Sequence, residues 1–164
     1  MQDGKMDDAR HLLEEFARSG FNLPLDFLWI IGMAGWAEVA IACGDPQYAE
    51  PIFDRLAPWA DQLPYIDLST EGPVSLYLGG LSAVLGRHVE ADAYFARSAD
   101  FCERFQATCF AAETSLWWGR MLAERNSPGD AERARQLFSR AHAEALAHGY
   151  GGIEHNAAEA LRHL

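Results

Sequence analysis

A small residue followed four positions later by phenylalanine occurs three times at nearly constant spacing, as Ala49–Phe53, Ala91–Phe95 and Ala134–Phe138. The steps between occurrences are 42 and 43 residues. In a helix, positions i and i+4 share a face, so each pair marks one contact stripe. Self-similarity at a fixed step of this length is the pattern of stacked helical hairpins. Two helices joined by a short turn cannot bury both apolar faces alone, so neighbouring hairpins must cover them. Counting back twelve positions finds the small partner residue on the preceding helix, Ala37 before Ala49 and Gly79 before Ala91. In the third repeat "RNSPGD" lengthens the turn by three residues and puts Gly119 fifteen before Ala134. The small residues let paired helices approach, and each phenylalanine is expected to fill the space between one hairpin and the next.

The remaining pattern agrees with helices throughout. Asp7 or Asp8 caps a first helix reaching about Ser19, with Gly20 as its stop. Pro24 and Asp26 open a second, which ends at "GD" after Cys43; Pro46 begins a third, which Pro58 kinks or ends. "QLPYIDLSTEGP" is the one long connection, with a short strand at Tyr65–Leu68 as the minor alternative. Further helices follow at about 73–85, 89–105, 108–125, 131–148 and 153–163, separated by "GRH", "QAT", "NSPGD" and "HGYGG". The expected fold is all-α: a tetratricopeptide-like solenoid of about three hairpins with a 42–43-residue period and flanking helices. The 164 residues are read as one domain, with repeats at about 24–62, 72–105 and 107–149.

Charge narrows the partners. The formal net charge is −11, the wrong sign for a nucleic-acid surface or an anionic membrane face. The longest apolar stretch, Leu23 to Cys43, is interrupted by Asp26 and Glu38, which makes it a core helix rather than a membrane span. The start of the chain is acidic and amphipathic, unlike a signal peptide. Cys43, Cys102 and Cys109 form no CxxC pair and are odd in number, so a reducing cytoplasm is the expected setting.

Three stretches carry a family resemblance: "PIFDRLAPWADQL", "GPVSLYLGGLSAVLGRHVEADAYFARSADFCERF" and "GRMLAERNSPGDAERARQLFSRAHAEALAHG". Together they resemble the C-terminal helical-repeat region of large bacterial signalling ATPases. Those proteins join a P-loop ATPase module to a class III adenylate cyclase or a LuxR-type DNA-binding domain. The similarity extends from about Asp7 to Leu161. It implies a regulatory segment that senses a partner or ligand, and a fragment or stand-alone relative of a longer protein. The catalytic parts of that family are not matched: the chain has no G-x-x-x-x-G-K-[ST] phosphate cradle and no basic recognition helix.

Residues of chemical interest are few. His155, Glu159 and His163 share a helical face and read as a solvated stripe rather than metal ligands. Cys102 and Cys109 read as buried small hydrophobes. Ser69–Thr70–Glu71 lacks a local histidine base and reads as the N-cap of the helix at Pro73. Of Trp29 with Trp36, and of Trp117 with Trp118, one member is expected in the core and one partly exposed. No cofactor fingerprint and no nucleophile–base pair is present.

The expected function is therefore a non-catalytic interaction and regulatory module for a protein or peptide. The alternative is a small-molecule sensor or cryptic enzyme with a pocket between helices. Taking one residue after each small contact position gives a candidate partner groove of Glu38, Gly80 and Arg120, with Leu76 and Leu116 one turn away. Such a row forms an apolar trough with a carboxylate at one end and a guanidinium at the other.

Overall fold

The structure is a computed structural model that describes residues 3–26, 28–66 and 69–164. Among these the fold is all-helical apart from one two-residue strand pair. No helix of the described residues is long and apolar enough to cross a membrane. The chain divides into two compact units, Met1–Arg87 and His88–Leu164.

In the first unit, α1 (Asp3–Arg18) begins well before Asp7 and Asp8, which lie inside it. The helix ends where Gly20 and Phe21 both turn left-handed, at φ 67° and 55°. That turn drives Phe21 into the interior, edge-on to Phe16, whose ring stacks 4.6 Å from Trp36 of α2 (Trp29–Cys43). α2 starts later than Asp26 because that carboxylate accepts the Leu28 N–H at 2.9 Å, forming a turn ahead of the helix. Gly44 closes α2 at φ 65°. Asp45 then caps α3 (Pro46–Leu56), its Oδ1 accepting the Gln47 N–H at 2.9 Å.

Pro58 ends α3 as its missing N–H and ring require, and Ala57–Trp59 tightens into a single 3-10 turn. The long connection holds β1 (Tyr65–Ile66) and β2 (Ser69–Thr70), paired antiparallel with Tyr65 opposite Thr70. The strand alternative is thus realised at its first two residues, while 67 and 68 lie outside the described residues. The Thr70 hydroxyl donates to the Pro64 carbonyl at 2.9 Å, so it closes this hairpin and does not cap a helix. α4 (Val74–Val84) follows Pro73 with no side-chain cap, correcting the expected cap at Ser69–Thr70–Glu71. α2, α3 and α4 pack on one another, and α1 packs on α2.

In the second unit, α5 (His88–Phe105), α6 (Thr108–Arg125), α7 (Asp130–His148) and α8 (Gly151–His163) pack in sequence, and α8 also touches α6. Gln106, Asn126 and Gly149 take left-handed conformations at the three turns.

All three repeated pairs are interior. Ala49, Ala91 and Ala134 are fully buried, as are Phe53, Phe95 and Phe138 to within a few per cent. Three residues further on, Leu56, Ser98 and Ala141 are buried too. Ala37, Gly79 and Gly119 on the preceding helices are likewise buried. The Phe138 ring lies directly on Gly119, where a Cβ would sit 2.6 Å from its Cε1. It therefore fills the gap between the two helices of one hairpin, α6 and α7. The expected place between successive hairpins describes only its outer edge, which borders a cleft beside α8.

Candidate functional site

The groove residues fall into two kinds. Leu76 and Gly80 on α4 and Leu116 on α6 are buried. They are core positions, which corrects their expected place on the floor of an open trough. The physical reason is plain for α4: "VSLYLGGLSAV" carries no charge and offers no polar face, and it is enclosed from Val74 through Ser82. Glu38, in the first unit, and Arg120, in the second, are exposed. The Glu38 carboxyl is nonetheless held above its usual range, first by partial burial and then by repulsion from Glu71.

Arg120 stands at the rim of a small cleft of about 190 Å³ in the second unit. Phe138, Ala160 and Ala123 form its apolar floor, and Glu124, His163 and Leu164 complete the rim. His163 and His155 are exposed on α8 with Glu159. Among the described residues no three His, Cys, Asp or Glu side chains are grouped to hold a metal ion.

The most tightly organised polar cluster is one the sequence reading passed over. Asp130 is buried at the start of α7, and Arg125 at the end of α6 grips it with Nε at 2.8 Å and Nη2 at 2.6 Å. Asp130 also accepts the Ser127 N–H at 2.9 Å. These donors hold its carboxyl far down, to about 2, with the Arg125 hydrogen bonds as the largest cause. Asp92 of α5 accepts the Trp118 indole N–H and lies 3.6 Å from Nη2 of Arg133, with Arg125 at 3.9 Å. Arg133 sits 5.4 Å over the Trp118 ring, and Trp118 stacks on Phe95 at 6.3 Å. This arrangement keeps Trp118 half-buried, and Trp117 is half-buried as well, so neither tryptophan is the expected core member. Trp29 is buried against Trp59, and Trp36 is the half-buried member of its pair.

Together these contacts clamp the α6–α7 turn. A local signal for half of it was present: Ser127 and Asp130 have the S-x-x-D spacing of a helix-start box. Nothing local marks Asp92, which lies far from Arg125 and Arg133 in the chain.

Cys102 is buried at the α5–α6 contact, beside hydroxyls of Ser98 and Thr114 that bond one another at 2.8 Å. Burial pushes its thiol up despite help from those hydroxyls, so it is an inert interior group as expected. Cys109 is only partly buried, and burial raises its thiol too.

Comparisons with family models, with curated proteins and with solved structures found no match to this chain.

Proposed function

We propose that the chain is a non-catalytic, tetratricopeptide-like helical-repeat module that recognises a protein or peptide and regulates domains joined to it in a bacterial cytoplasmic signalling protein. The observation that supports this reading is the recurrence on α3, α5 and α7 of a buried alanine and phenylalanine four apart. Repeat helices of this kind serve recognition because each presents a similar outward face. Adding the resemblance to signalling-ATPase repeat regions supplies the regulatory context. Glu38 in the first unit and Arg120 in the second are the exposed charges left from the candidate groove, and each would offer a charged contact to a segment bound on its own unit.

The test is a fluorescence-polarisation screen of a peptide library against the intact chain and its separate Glu38→Arg and Arg120→Glu variants. The reading expects micromolar binders whose affinity falls at least tenfold in one of the two variants, with helicity and melting unchanged. Failure of every peptide to bind would overturn it. Undiminished binding by both variants would move the partner surface elsewhere. A second reading, a small-molecule sensor, is favoured by one observation, a polar cleft beside the α5–α6 turn.

A further inference from the structure

That cleft has a volume of about 440 Å³ and lies wholly within the second unit. Cys102 and Ala111 form its floor, the former a neutral, buried thiol. One wall is the end of α5, with Glu103 and then Gln106, whose left-handed backbone at φ 54° carries the chain into α6. Thr108 stands at the start of α6, its hydroxyl bonded to that of Tyr150 at 2.7 Å. The opposite wall is α7, which contributes Arg140 and, one turn on, Glu144.

The charges in this cleft face one cavity without closing on each other. Among the described residues Arg140 and Glu103 form no ion pair, and Glu144 is approached only by the His148 imidazole, at 3.5 Å. Such separated opposite charges stay hydrated until a ligand bearing both signs replaces the water with two charge-assisted hydrogen bonds. A plain anion meets two carboxylates against one guanidinium, and a plain amine leaves that guanidinium unanswered. The cleft is open rather than enclosed, and Glu103, Gln106 and Arg140 are exposed, so it suits a small ligand held by its charges.

We propose that this cleft binds a free α-amino acid, its carboxylate on Arg140 and its ammonium toward Glu103 and Glu144, with basic side chains preferred because the cleft holds one excess negative charge. The site is independent of the peptide-binding reading above: loss of one leaves the other standing.

Isothermal titration of the intact chain with L-lysine, L-alanine, sodium acetate and ethylamine tests it. Lysine is expected to bind most tightly, alanine more weakly, and acetate and ethylamine at least tenfold more weakly than alanine. Arg140→Gln is expected to weaken lysine binding at least tenfold, whereas Arg140→Lys keeps part of it. Arg140 is exposed, so neither change is expected to move the melting temperature without ligand. Glu144→Gln is expected to reduce the preference for lysine over alanine. No binding by either amino acid at millimolar concentration, acetate binding as well as alanine, or lysine binding unchanged by Arg140→Gln would each overturn the proposal.

Discussion

At Gly119 the absence of a side chain is a packing requirement, since any Cβ there would overlap the buried Phe138 ring. The ring is 2% exposed, so the new methyl has to displace it toward the small cleft that it borders. Gly119→Ala is therefore expected to destabilise the fold by about 1–3 kcal/mol through overpacking, even though alanine is the better helix former by about 1 kcal/mol. Chemical denaturation measures the loss. Pairing it with Phe138→Leu is expected to give less than the sum of the two single effects, because the smaller side chain vacates the space that the new methyl needs. Full additivity would mean that the two positions do not touch. The same logic separates Glu38 from Asp130. Both are carboxylates, but burial and Glu71 raise the first, whereas Arg125 and the Ser127 N–H depress the second.

The α6–α7 turn shows what a single buried ion pair does for an element boundary. Three extra residues in "RNSPGD" would leave a loose connection, and Arg125 with Asp130 closes it. The Asp130 carboxyl titrates at about 2 in the fold, below its ordinary value of 3.8. Its stabilising contribution is therefore complete above the ordinary carboxylate range and disappears as pH falls from about 4 through 2. Asp130→Asn is expected to lower the melting temperature at pH 7 and to flatten the loss of stability between pH 4 and 2. Parallel melting curves for variant and wild type across that window would contradict this.

Helix ends marked by glycine or proline were legible in the sequence, because Gly44, Gly149 and Pro58 act through their own backbone chemistry. The role of Thr70 was not, since its hydroxyl chooses between a helix N–H and the Pro64 carbonyl only after the chain has folded back. Nor was the burial of Leu76 and Gly80, because an apolar helix without a polar face gives no sign of which side meets solvent. The Asp92 partners were equally hidden, being remote in sequence and joined by side chains alone.

A buried alanine–phenylalanine pair recurs on α3, α5 and α7, and the proposed function depends on its marking a structural repeat rather than an accident of sequence. Helix α5 contains its own control. Phe95 carries the recurring spacing and is 0% exposed, whereas Phe105, ten residues along the same helix, is 62% exposed beside Phe101 and under Arg104. The two phenylalanines share chemistry and host helix and differ in burial. Equilibrium denaturation of Phe95→Ala and Phe105→Ala, beside the wild type, compares them directly. The proposed repeat architecture predicts a loss of about 3–5 kcal/mol at Phe95 and a change within about 1 kcal/mol at Phe105. Equal losses at the two positions, or a Phe95→Ala protein as stable as the wild type, would contradict it.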